Sequence, residues 1–350
     1  MSEQHSGGKL IEVGKYGCVF DTIPRCRGQA RSIRDGRFSK DKRRTRRLVK
    51  IMATSDKTIL AEVKASHDLS HIPNYTDYFI IVDDVCIGDD MSQDPDWTQC
   101  FLLNPGQPRH TIPFVQLRMK YGGIKLSEYA LDINKLLRNW VNIQIHLAEG
   151  LRILHSRNWV HGDFHFGNIL VDDKNIPRII DFGLSYNLNR LQEKDVITMS
   201  FIPSYDNYAP ELDYISGMLK RVGSKREIVE QIYYRKKILQ EIEETFPSEK
   251  GIVSELMGFA ERINLDHPSD VVDFIKRWGK ASDMWTFGFD FFKLYMLMLP
   301  MPAVIGSDFY KLYHANQMRI LRGLLHPDPR QRFNVDDLLT ELYSLRMSIN

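Results

Sequence analysis

The stretch His161-Gly162-Asp163-Phe164-His165-Phe166-Gly167-Asn168, with Asp181-Phe182-Gly183 soon after it, decides how the rest of the chain is read. Asp163, Asn168 and Asp181 fall in loops that bracket two short β-like segments, Ile169-Leu170-Val171 and Arg178-Ile179-Ile180, around the turn Asp172-Asp173-Lys174-Asn175. Two carboxylates and a carboxamide so placed suit a hard cation such as magnesium and a hydroxyl that must be oriented and relieved of its proton. Phosphoryl transfer needs those parts together with a cationic anchor for the phosphates. A candidate anchor lies far upstream, where Leu48-Val49-Lys50-Ile51-Met52 is an apolar strand interrupted by one lysine.

Outward from these segments the pattern changes once. Residues 10 to 20 read as a β-hairpin whose tip holds Gly14 and Gly17, residues 57 to 70 as a helix, and Tyr78–Val85 and Ile112–Met119 as two strands. The acidic, turn-rich link from Gly88 to Asp96 reads as a surface loop. Beyond Gly122-Gly123 the periodicity becomes helical, first over Leu126–Leu137 and again over Trp140–His155. Ile228, Val229, Ile232, Tyr233, Ile238, Leu239 and Ile242 recur at helical spacing and predict one long amphipathic helix, followed by another at 252 to 263.

Composition narrows the class. The 350 residues are 43% hydrophobic and 26% charged, ordinary globular usage. Cys18, Cys26, Cys86 and Cys100 form no CxxC pair or zinc-ligand spacing, and are read as reduced thiols in a cytoplasmic protein. No apolar run approaches the roughly 18 residues of a membrane span, and Met1–Leu10 lacks the apolar core of a secretory signal. The net charge of +2 hides an asymmetry: residues 25 to 47 hold nine Arg and two Lys against Asp35 and Asp41, a local +9 that leaves −7 elsewhere. That segment reads as a solvated insertion, with nucleic acid, an acidic partner or a nuclear address through Lys40–Arg47 as the sharper alternatives.

These motifs, in order from Val13 to Arg332, resemble the protein kinase family. The resemblance implies an α+β, bilobal fold: a small, mainly β N-lobe with one helix at 1–121, and a larger, mainly α C-lobe at 122–350. Insertions are expected at about 21–47 and 212–281. It implies ATP and Mg2+ as cofactors, protein substrates, no membrane association and a monomer. Val13, Gly14, Tyr16, Gly17 and Val19 match the glycine-rich loop, although Glu12 stands where the family keeps its first glycine. Lys50 matches the lysine that anchors the α- and β-phosphates, and Glu62 its ion-pair partner. Met119 aligns with the gatekeeper and Lys120, Tyr121 and Gly122 with the hinge that meets adenine. Asp163 aligns with the catalytic base, Asn168 and Asp181 with the metal ligands. Cys18 would line the roof of the nucleotide pocket as a small packed thiol.

Three departures qualify the resemblance. His165 replaces the lysine that serine/threonine kinases bring to the γ-phosphate, so that contact is weaker or pH-dependent. Gly162 replaces an arginine that commonly holds a phosphate on the activation segment, so phosphorylation of Thr198 or Ser200 is expected to matter less than usual. Ser66 stands where relatives place an apolar spine residue. The Gly162/His165 loop is also similar to that of aminoglycoside- or sugar-type phosphotransferases, while Ala209-Pro210-Glu211, Asp283 and Arg332 are protein-kinase features. Ser204 and the loop composition point to serine or threonine as acceptor. A pseudokinase scaffold is the other alternative, and the layout is similar to that of kinases from large DNA viruses, which would place the chain in host cytoplasm or a virion.

Overall fold

The computed structural model describes residues 9–14, 17–21, 26–27, 31–34, 46–88, 100, 114–265 and 267–347. They form two compact units. The first comprises the chain up to Ile124 together with Leu170–Lys174 and Arg178–Ser185, and the second takes in Lys125–Ile169, Asn175–Pro177 and everything from Tyr186 onward. A small mainly β unit and a larger helical one make the bilobal α+β organisation of a protein kinase.

The first unit is built on a six-stranded antiparallel sheet of β1 (Leu10–Val13), β2 (Cys18–Phe20), β3 (Arg31–Ser32), β4 (Arg47–Ala53), β5 (Val82–Ile87) and β6 (Phe114–Lys120), in the order β1-β2-β4-β6-β5-β3. β4 is buried from Leu48 to Met52, as a strand flanked on both sides should be. Alternation along it sends Val49 and Ile51 into a cluster with Cys18, Phe20, Cys100 and Phe114, while Met52 packs with Leu117 and Val82 beside Ile59 and Val63. Those last two come from the helix α1 (Thr58–Ser70), so Lys50, sharing the face of Met52, points toward α1. The second strand, expected from Tyr78, begins only at Val82, because Tyr75–Asp77 forms a 3-10 turn.

Ser66 takes the buried spine position without loss. Its hydroxyl accepts a hydrogen bond from the Val82 amide at 3.1 Å, so a polar bond to β5 replaces an apolar contact. Segment 178–185 joins this unit through the Ile80 amide on the Ile179 carbonyl at 3.0 Å and Phe182 edge-on to Phe79 at 5.8 Å.

The cysteines overturn their sequence reading as reduced thiols. Cys18 is bonded to Cys100 and Cys26 to Cys86, with Cα atoms 5.9 Å apart in each pair, and no described cysteine is free. Separations of 82 and 60 residues carry no local signature, which is why spacing alone could not find them.

In the second unit the two helices expected between Leu126 and His155 are a four-residue turn, Leu126–Tyr129, and one long helix, Ile133–Ser156. The gap left at 138–139 is helical, and there the Asn139 amide donates to the Lys135 carbonyl and the Tyr129 hydroxyl, which keeps a polar residue inside the helix. The helix Lys280–Met298 buries Trp285, Phe287, Phe291, Phe292 and Tyr295 on one broad apolar face and leaves Lys293 and Leu297 exposed. The long helix expected at 228–242 is in fact two, Lys225–Arg235 and Lys237–Thr245, separated at Lys236, whose backbone is extended.

Gly17 has a packing reason: a Cβ there would lie 2.3 Å from the Ile51 carbonyl oxygen of β4. Gly17→Ala must therefore push β2 off β4. We expect a loss of roughly 1–3 kcal/mol in stability, read as a lower midpoint of chemical denaturation; an unchanged midpoint would show that the strand yields freely.

Candidate active site

Each unit holds a group of the expected site residues. In the first, Lys50 on β4 places its ammonium 3.0 Å from Glu62 Oε2 on α1 and 2.8 Å from Asp181 Oδ1. Burial pulls the Lys50 pKa down, but the two carboxylates outweigh it and the group is held above ordinary lysine. Burial in turn pushes Glu62 up to about 6 against the pull of Lys50. The cation is thus permanently charged, fixed in direction and buried in a strand, which is what an anchor for phosphate oxygens requires.

Asp181 itself sits at φ 60, ψ 77, a left-handed conformation that a short polar side chain tolerates, and its Oδ1 accepts the Gly183 amide at 3.3 Å. With Oδ1 occupied by Lys50 and Gly183, Oδ2 has no partner among the described residues. Val13, Val19, Gly14, Gly17, Met119, Lys120, Tyr121 and Gly122 belong to the same unit. The Gly14 amide donates to the Gly17 carbonyl at 2.8 Å, closing the hairpin tip, while Tyr16 lies outside the described residues. At the expected hinge, the Tyr121 amide is already donated to the Arg46 carbonyl at 3.1 Å, and the Arg46 guanidinium lies 4.0 Å above the Tyr121 ring. Gly122 is closely covered: a Cβ would meet Ile80 Cδ1 at 1.9 Å.

In the second unit Asp283 organises the loop from His161 to Asn168. Its Oδ2 accepts the His161 amide at 2.8 Å and its Oδ1 the Gly162 amide at 3.0 Å, while His155 Nε2 lies 2.9 Å away. Gly162 at φ 76 makes the turn possible. The buried His161 packs edge-on to Phe164 and its Nδ1 accepts the Asp163 amide, so it is a scaffold for the loop. Asn168 Nδ2 donates both to the Asp163 carbonyl at 2.9 Å and to Asp163 Oδ2 at 3.3 Å, which turns the carboxamide oxygen of Asn168 away from Asp163. Although burial raises the Asp163 pKa, hydrogen bonding and charge from His165, His161 and Asn168 win, and the group is held below an ordinary aspartate.

His165 has a defined orientation. Its Nδ1 accepts the Gly167 amide at 3.0 Å, which leaves the proton of the neutral ring on Nε2, 3.7 Å from Asp163 Oδ2. Gly167 is required for this: a Cβ there would lie 2.6 Å from His165 Cε1. Nearby, Asp290 of the helix Lys280–Met298 accepts the Phe166 amide, and burial pushes its carboxyl up to about 7. Sequence reading missed Asp290. The available signal was one acid inside Phe287-Gly-Phe-Asp-Phe-Phe292, a run otherwise free of charge.

Behind the loop, Arg332 and Glu211 form a buried two-pronged ion pair at 2.7 and 2.9 Å, with Arg332 also donating to the Ala281 and His326 carbonyls. The described residues contain no cluster of three or more His, Cys, Asp or Glu poised as a metal site. Oxygens of Asn168 and Asp181 nonetheless fit a hard cation by donor type. About two thirds of the basic stretch 25–47 lies outside the described residues, and within the rest Arg47 pairs with Asp84 at 2.6 Å and Asp83 at 3.3 Å. No described helix is long and apolar enough to cross a membrane.

The sequence model described as "Protein kinase domain" matches residues 125–228, which include the whole loop from His161 to Asn168 and the Asp181 turn. Over those residues this chain is similar to the protein kinase family. Mitogen-activated protein kinase 14 of Arabidopsis thaliana is 27% identical over 229 residues, 61% of this chain and 55% of that protein. Mitogen-activated protein kinase kinase kinase 1a of Physcomitrium patens is 24% identical over 207 residues, 59% of this chain and 22% of the relative. A shorter match, 39% over 62 residues, joins 18% of this chain to 6% of macrophage colony-stimulating factor 1 receptor 1 of Takifugu rubripes. The chain therefore spans less than two thirds of the length of each of these relatives.

Proposed function

We propose that this kinase transfers the γ-phosphate of ATP to serine or threonine hydroxyls of protein substrates. The observation that carries the reading is Lys50 held by both Glu62 and Asp181, which fixes a buried cation in one direction as an anchor for phosphate oxygens. In this mechanism Lys50 holds the α- and β-phosphates. Asp163, kept ionised, accepts the proton of the substrate hydroxyl as it attacks. Asn168 steadies Asp163 through its Nδ2, and its carboxamide oxygen is turned outward. Magnesium, when bound, supplies charge neutralisation between phosphate oxygens, with Asn168 and Asp181 Oδ2 as its protein ligands. The Nε2–H of His165 offers the γ-phosphate an imidazole donor in place of the usual ammonium. A protein acceptor is supported by the Arg332–Glu211 pair, which braces the segment ending at Ala209-Pro210-Glu211.

The test incubates the purified full chain with γ-labelled ATP, magnesium, a mixed protein panel and a set of small alcohols including aminoglycosides and sugars. Label on phosphoserine or phosphothreonine of protein is the expected result. Transfer to a small hydroxyl alone, or to nothing, would overturn it.

A further inference from the structure

Lys236 is the least expected charge in the molecule. Both it and its partner Asp213 are fully buried, with Nζ 2.9 Å from Asp213 Oδ2 and 2.6 Å from the Tyr205 carbonyl oxygen, to which it donates. The interruption of the helical insertion makes this possible. The helix Lys225–Arg235, begun by a Ser224/Glu227 capping box, stops, Lys236 turns extended at φ −91, ψ 93, and the helix Lys237–Thr245 starts afresh.

Everything around the break converges on residues 202 to 206. Asp213 Oδ1, on the helix Pro210–Leu219, accepts the Ile202 amide at 3.3 Å. The Ile238 amide, at the start of the second insertion helix, donates to Asp206 Oδ1 at 3.2 Å. Trp285 Nε1 donates to the Asp206 carbonyl at 3.3 Å. Three elements thus pin one short stretch whose Ile202, Ser204 and Tyr205 side chains face solvent. Burial pushes Asp213 up to about 6 against the pull of Lys236. Buried ion pairs contribute little net stability but select one arrangement of the chain around them.

We propose that Lys236 is a positioning residue: a built-in cation of the helical insertion that locks segment 202–206 in its substrate-facing conformation, so that the acceptor platform is formed without phosphorylation of the activation segment. The usual arginine for such a phosphate is absent, its place taken by Gly162, and Lys236 approaches the same segment from the insertion. The locked stretch ends three residues before Ala209, directly ahead of the segment braced by Arg332. This rests on the protein-kinase reading above, and its test separates the two.

The test compares wild type with Lys236→Met/Asp213→Leu, which removes both charges together and so leaves no buried unpaired ion, and with the milder Asp213→Asn. Hydrogen exchange at the Ile202 amide and across 202–206 needs no catalysis and reads the lock directly. We expect it to accelerate about a hundredfold in the double variant and less in Asp213→Asn, with the rest of the second unit unchanged. The KM for protein substrate should rise about tenfold or more while the KM for ATP and the rate of ATP hydrolysis without acceptor stay within about twofold. Phosphatase treatment of wild type should leave the protein KM unaltered. Unchanged exchange in both variants overturns the lock whatever the activity. Faster exchange with an unchanged protein KM, or a phosphatase effect as large as that of the double variant, overturns its role in substrate binding.

Discussion

Asp163→Asn should lower phosphoryl transfer to protein by roughly 10²–10⁴-fold, the range general-base catalysis contributes, with little change in the midpoint of thermal unfolding. The reasoning is local. An asparagine retains the volume of the aspartate and an oxygen to accept Asn168 Nδ2, so the two hydrogen bonds that fix the loop can persist. What disappears is the proton acceptor, which in the native protein is kept ionised because His165, His161 and Asn168 together outweigh its burial. ATP affinity should be nearly unaltered, since Lys50, Glu62 and Asp181 are untouched. A variant within threefold of wild type at saturating ATP would sink the assignment of Asp163 as base.

Arg332→Ala is expected to cost about 3–5 kcal/mol, because it strands a buried Glu211 carboxylate. For a helical unit of this size that corresponds to a fall of about 10 °C in the unfolding midpoint. The arginine has no exposed alternative: its side chain is buried, makes two bonds to Glu211 and also donates to the Ala281 and His326 carbonyls. Removing both charges in Glu211→Leu/Arg332→Met should recover part of the loss but not all, since those carbonyls remain unserved. Equal midpoints for wild type and Arg332→Ala, measured by calorimetry, would contradict the geometry.

How much of this was legible beforehand depends on the range of the interaction that fixes each feature. Lys50 could be found because a charge inside an apolar strand is a local anomaly, and Glu62 through the family resemblance. The helix at 57–70, the loop at 161–168 and the turn at 181–183 were likewise readable from short windows, and the structure puts helix and turns there. The split placed between Leu137 and Trp140 was wrong because the hydrogen bonds of Asn139 to Lys135 and Tyr129 are invisible to periodicity. Ile228 to Ile242 misled in the opposite sense: the apolar spacing runs unbroken through Lys236, and only the distant Asp213 and Tyr205 explain why the chain leaves the helix there. Asp290 is a third kind of miss, an acid whose purpose is an amide on another segment. The cysteine pairs are the extreme case, decided entirely by which strands meet.

Those pairs have a topological consequence. Cys26–Cys86 lies inside the span closed by Cys18–Cys100, so the first unit contains one covalent ring nested within another. The inner ring includes the basic stretch, Lys50 and all of α1. A single peptide-bond cut anywhere between residues 27 and 85 therefore yields two polypeptides that stay bonded to each other, and a second nick in the same ring is needed before any fragment can leave without reduction. The anchor lysine and its glutamate partner are tethered by the backbone on both sides and by sulfur across the gap, which restricts how far the unfolded first unit can expand.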